Sequence, residues 1–129
     1  MSGDAESVES DVLDRLRRAT AANPGELVDL YQEYVNQARH TLVGLRDAVK
    51  RQQSEEVRNH AHYLKGSSLI MGARVVARHC SVLEEVREDG NFHAAAELVQ
   101  QIGGAIDDVE ICLTRRIGLG VSPAANRKF

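Results

Sequence analysis

The sequence predicts an all-α protein, an antiparallel four-helix bundle with an additional N-terminal helix packed against it. Three observations predict it. Apolar residues recur at threes and fours along almost the whole chain, the period of a helix with one buried face. No segment alternates apolar and polar residues as a half-buried strand does. The breaks between periodic segments are short and polar, as in bundles whose successive helices run antiparallel.

In the first segment Val8, Val12, Leu16 and Ala19 step by four, four and three. Asp4, Glu6, Glu9 and Asp11 crowd its start, where the helix dipole favours anions. The tetrapeptide NPGE follows, with Asn23 as cap, Pro24 at the first helical position and Glu26 at the third. From there Leu27, Leu30, Tyr31, Tyr34, Val35, Ala38, Leu42, Leu45 and Val49 mark the clearest helix in the chain. Residues 50–53, KRQQ, read as a loop. Ser54 can cap a third helix with Glu55 and Glu56 in its first turn and a core stripe of Val57, Ala61, Leu64, Ser68 and Met71. Gly72 is placed to end it. A fourth helix carries Val75, Val76, His79, Val82, Leu83 and Val86 and stops at Asp89-Gly90. Asn91 can cap a fifth, with Phe92, Ala95, Val99, Ile102, Ile106, Val109 and Leu113 inward. Gly103-Gly104 inside that helix, each costing about 1 kcal/mol against Ala, points to a kink or a close helix contact.

A chain of 129 residues, 43% hydrophobic, fits one domain with one core. Charged residues make up 27% and the net charge is −3, against the basic surface that nucleic acid requires. Aromatic residues are 4% and Trp is absent, which argues against stacking on bases or sugars. No apolar run approaches the roughly 20 residues that span a bilayer. The acidic, polar N-terminus is neither a secretory signal nor a transit peptide, so the expected location is the cytoplasm, or also the nucleus in a eukaryote. Cys80 and Cys112 form no CxxC pattern and are expected to be reduced, buried thiols.

The stretch His60–Ser68, HAHYLKGSS, concentrates the chemistry. With about 100° per residue and Leu64 pointing into the core, His60 falls about 40° from Leu64, on the core side. His62 falls about 160° away, nearly opposite the core. A zinc site using both is disfavoured, because positions i and i+2 do not face each other on a helix. His60 is expected to be a boundary histidine with a hydrogen-bond partner. His79 is expected at the core edge, and His40 and His93 in solvent. Around His62 lie Glu55, Arg58, Asn59, Lys65, Gly66 and Leu69. Lys65 at i+3 can reach an anion held by the imidazole. Gly66 at i+4 leaves bare backbone beside it, a cost in mid-helix unless a side chain there would block something. Leu69 adds an exposed apolar contact. Together these describe a histidine presented to another protein, and the geometry alone weighs that evenly against a solvated histidine beside an incidental glycine.

The run His62-Tyr63-Leu64-Lys65-Gly66-Ser67-Ser68, followed by Met71-Gly72-Ala73, resembles the histidine-containing phosphotransfer (Hpt) signature H-x-L-K-G-S-S-x-x-x-G-A. It is similar to the stand-alone plant and fungal proteins of multistep phosphorelays, over roughly residues 8–117. The resemblance implies a four-helix bundle whose His62 accepts a phosphoryl group from a receiver-domain aspartate and passes it to a response-regulator aspartate. Lys65 would neutralise the phosphoryl group and Gly66 would let the receiver approach, with Glu55, Arg58, Asn59 and Leu69 completing the docking face. The implied partners are the receiver domains of hybrid histidine kinases and response regulators, with no nucleic acid or membrane. The receivers would supply the Mg²⁺, so no metal and no cofactor is expected in this chain. There is no GxxxxGK[ST] motif, so the expected role is that of a carrier without kinase activity of its own. Residues 1–129 are expected to form a single, monomeric Hpt domain with 1–6 and 118–129 as flexible termini. The competing reading is a non-catalytic helical-bundle scaffold that binds a partner helix in a groove.

Overall fold

A computed structural model describes residues 7–119, so the readings made on residues 1–6 and 120–129 lie outside the described residues. Among the described residues five helices follow in order: α1 (Ser10–Ala19), α2 (Pro24–Lys50), α3 (Ser54–Met71), α4 (Arg74–Leu83) and α5 (Phe92–Ile117). Among the described residues there is no strand, and no helix is long and apolar enough to cross a membrane.

Helices α2 to α5 pack each against the next, and α5 closes the ring against α2. The pairings run antiparallel. Tyr31 meets Met71, Tyr34 meets Ser68 and Gly44 meets His60 between α2 and α3. Between α2 and α5, Arg39 spans Asp107 and Glu110 while Leu42 touches Gly103. The core is the set of stripes expected for α2, α3 and α5, joined by Thr41, Ala48, Ala105 and Cys112, except that Leu30, expected inward on α2, is exposed and Phe92 at the start of α5 is only half-buried. Gly103 is buried with Leu42 and Arg46 in van der Waals range of where a Cβ would stand, so it marks a close helix contact, whereas Gly104 is exposed and a Cβ there would meet nothing within 4 Å.

Helix α1 crosses the end of the bundle where α3 stops and α4 starts. Glu9 N–H donates to Gly72 O at 2.9 Å, and Glu9 also pairs with Arg74. Gly72 itself is left-handed (φ 83°), and the Ala73 N–H returns to Ser68 O at 2.8 Å, the bond pattern that ends a helix at glycine. A Cβ on Gly72 would stand 3.0 Å from Val12 Cβ, so both the turn and the docking of α1 require glycine there.

Several expectations at the edges are corrected. The stripe of α1 centres on Leu13, which is fully buried. Ala19 is exposed, because a helix laid across a bundle end buries a narrower face than one inside it. Ser54 is the first residue of α3 and buried, not its cap, and Asn23 makes no side-chain cap bond. Asn91 does cap α5, its side-chain oxygen accepting from Ala94 N–H at 2.9 Å. Helix α4 ends at Leu83 rather than running on through Val86, since the backbone turns at Glu85 and Val86 and the Val86 carbonyl accepts from Arg58. Val82, expected inward, is exposed. Gly118 is left-handed, Leu119 N–H bonds back to Leu113 O at 3.3 Å, and the Leu119 side chain is fully buried. Both cysteines are free and buried, as expected.

Candidate functional site: an exposed histidine on α3

The register of α3 is set from beneath. Tyr34 and Ser68 hydroxyls meet at 2.6 Å in the core, and Tyr31 donates to the Met71 carbonyl at 3.0 Å. Burial pushes the Tyr31 phenol up to about 12 and raises that of Tyr34 further. These two bonds and the buried stripe Val57, Ala61, Leu64 and Met71 fix which way every other residue of the helix points. The second serine of the KGSS run is therefore a core residue with a partner, not a surface nucleophile.

His62 points away from that core, with its side chain 79% exposed. Its Nδ1 lies 2.5 Å from Glu84 Oε2, and the other carboxylate oxygen, Oε1, accepts from Lys65 Nζ at 2.7 Å. Glu84 stands at the C-cap of α4, so it bridges from one helix to two residues one turn apart on its neighbour. The Lys65 ammonium, and after it the His62 ring, hold the Glu84 carboxyl below the usual carboxylate range against the opposing effect of burial. An ionised carboxylate only accepts hydrogen bonds. In neutral His62 the Nδ1 must then carry the proton, which leaves the lone pair on Nε2, the ring atom away from Glu84. An imidazole with one nitrogen held by an orienting carboxylate presents the lone pair of the other as a nucleophile could use it.

The expected site residues fall out as follows. Lys65 is half-buried and engaged with Glu84. Gly66 is exposed, and a Cβ there would meet nothing within 4 Å. Glu55, Asn59 and Leu69 are exposed on α3. Arg58 is half-buried and bound at 2.9 Å to the Val86 carbonyl, so it holds the segment after α4 as well as facing the groove lined by residues 84–89. His60 faces inward as expected and packs its ring against Gly44, but among the described residues no group hydrogen-bonds it. His79 is half-buried, with burial pulling its imidazole below the ordinary value, and His40 and His93 are exposed.

Glu84 was not among the expected residues. One signal pointed to it. Glu84 and Glu85 stand at the C-terminal end of a helix, where the dipole disfavours anions, so a carboxylate there calls for a cationic partner.

A compact bundle that holds an imidazole outward, with its tautomer set by a carboxylate and a lysine one turn on, is built to carry a group between proteins. Comparison with known proteins narrows this class. The Hpt domain family model matches residues 29–111, and the chain belongs to that family. Its function is histidine phosphotransfer in a phosphorelay, where proteins of this family exchange phosphoryl groups with receiver domains. Among solved structures it is similar to histidine-containing phosphotransfer protein B of Pseudomonas aeruginosa, at 27% identity and a TM-score of 0.77, over 87% of this chain and 95% of that one. No curated protein sequence matches it.

Proposed function

We propose that His62 is the phosphoacceptor of this phosphorelay protein, taking a phosphoryl group at Nε2 from a receiver-domain aspartate and returning it to the aspartate of a response regulator. The observation that carries the assignment is the Glu84 contact to Nδ1, which turns the lone pair of an exposed ring outward. Lys65 lies close enough to share its ammonium between Glu84 and an incoming phosphoryl oxygen. Gly66, with open space above it, gives the receiver room beside the ring, and the exposed Glu55, Asn59 and Leu69 with the groove-facing Arg58 form the docking face. Tyr63 and Ile70 add exposed apolar surface on the same helix, the kind of contact that a docking partner covers.

The whole chain acts as one monomeric Hpt domain in the cytoplasm, and the bacterial origin of the solved relative favours that location over the nucleus. It transfers without kinase activity of its own and without a nucleic-acid or membrane partner. Incubation with a phosphorylated receiver tests the assignment. His62→Gln is expected to abolish uptake of acid-labile phosphate and His60→Gln to retain most of it. Phosphate mapped to His60 by mass spectrometry would falsify both the acceptor and the helix register.

A further inference from the structure

The Glu84 carboxylate is only 21% exposed, while the His62 side chain it touches is 79% exposed. One edge of the ring is therefore fixed in a sheltered, negatively charged contact and the other is free. The charged and titratable groups that face this ring can be named. From α3 they are Lys65, engaged with Glu84 Oε1, and Arg58, one turn earlier and tied to the Val86 carbonyl. From α4 there is Glu84 itself, close to the buried Cys80, whose thiol burial pushes up to about 12 so that it stays neutral. From the segment after α4, Glu85, Arg87, Glu88 and Asp89 line the groove that Arg58 and Glu84 share. With the lysine on Oε1, the group in direct contact with Nδ1 is an oxygen that can accept a proton's hydrogen bond and cannot donate one.

The Nε2 lone pair attacks the phosphorus of the partner's aspartyl phosphate. The N–P bond forms, the O–P bond breaks, and its electron pair leaves on the aspartate carboxylate. The Nδ1 proton takes no part, so the product is a phosphoimidazolium whose N–H still faces Glu84. In the discharging step the N–P pair returns to Nε2 and neutral imidazole leaves directly. A ring that had lost its Nδ1 proton would have to leave as an imidazolide anion, a far poorer leaving group, and the phosphoryl group would stay.

From this we infer that Glu84 is a positioning residue that keeps the proton on Nδ1 of phosphorylated His62, making the chain a quickly discharging carrier rather than a store of phosphate. The inference rests on His62 being the acceptor. It turns on charge and not on shape. A glutamine at this place could accept from Nδ1–H through its carbonyl, but it could equally donate its amide N–H to a bare Nδ1 and stabilise the ring that holds on to phosphate.

The experiment loads the wild-type chain and Glu84→Gln with phosphoramidate and follows phosphohistidine decay by phosphorus NMR between pH 6 and 9. An opposite charge at this range displaces a protonation equilibrium by about tenfold or more. At pH 8 the variant should accordingly hold its phosphate about tenfold longer than the wild type, with the gap closing toward pH 6. Equal lifetimes at pH 8 overturn the inference. Nitrogen NMR of the unphosphorylated ring gives a readout independent of loading. The wild type should hold the Nδ1–H tautomer and the variant a mixture, and a variant as purely Nδ1–H as the wild type overturns the inference too. Labelling that persists in His62→Gln overturns instead the acceptor assignment on which it rests.

Discussion

Replacing Gly66 by Gln separates the stability of the fold from the use of its surface. Gly in a helix interior is less favourable than an ordinary residue by about 0.5–1 kcal/mol, through the backbone freedom lost on folding. At Gly66 no steric cost offsets that gain, since a Cβ would meet nothing within 4 Å. Gly66→Gln should therefore stabilise the free protein, and a gain of that size raises the melting temperature by about 2–4 °C in a domain of this length. The same side chain stands one turn from His62, on the face proposed to dock a receiver. Forcing extra atoms into a packed contact costs about 1–3 kcal/mol, so receiver affinity should fall by roughly five- to 150-fold. Uptake from a small phosphodonor should change much less. Circular dichroism with a thermal melt gives the first quantity and calorimetric titration with a receiver domain gives the second. A melting temperature that falls would mean Gly66 serves close helix packing. Receiver binding that is unchanged would mean the docking face lies elsewhere.

Three further outcomes follow from the same contacts. Lys65→Ala should slow transfer about tenfold, or about 1.4 kcal/mol, typical of one partly exposed charge contact. A wild-type rate measured by rapid quench would reduce the lysine to a partner of Glu84. Tyr34→Phe and Ser68→Ala should each cost about 1–3 kcal/mol by orphaning the other buried hydroxyl. The double variant should cost less than the sum, which urea titration can decide. Raising the pH above about 10 should lower the urea midpoint. The unfolded chain ionises its tyrosines there, whereas buried Tyr31 resists until about 12. The unfolded state thus binds fewer protons in that window, and stability falls with pH. Tyr31→Phe should make the decline shallower, and an unchanged slope would remove Tyr31 as its source.

The parts of the fold that sequence periodicity captured are those where one helix face alone decides burial. In α2, α3 and α5 most of each stripe packs into the ring interior, so threes and fours translate into buried positions except near two helix starts, where Leu30 is exposed and Phe92 half-buried. Where a helix meets something other than the ring interior, the rule loses its footing. Helix α1 lies across an end and buries Leu13 in preference to Ala19. Helix α4 is only ten residues long, and Val82 and Val86, both apolar at helical spacing, are respectively exposed and outside the helix. What stops α4 is not in its own periodicity. Past Leu83 the backbone bonds three residues back, at Glu85 and Val86, and the Arg58 guanidinium on α3 holds the Val86 carbonyl across the interhelical seam.

The candidate site divides along the same line. His62, Lys65 and Gly66 share one helix face, and helix geometry suffices to put them there. Glu84 enters from the neighbouring helix, 22 positions along the chain, and its meeting with His62 is fixed by how far α4 slides against α3. That offset comes from contacts no single-helix pattern records, among them Arg58 on the Val86 carbonyl and the turn at Gly72 and Ala73 that sets where α4 begins. The histidine's direction is thus a local property of the sequence, while its tautomer is a property of the packed bundle. A change that moved α4 by one turn would leave His62 exposed and α3 intact, yet it would separate Glu84 from both the ring and Lys65. The chemistry of the imidazole depends on the tertiary structure to that extent, although the imidazole itself sits on the surface.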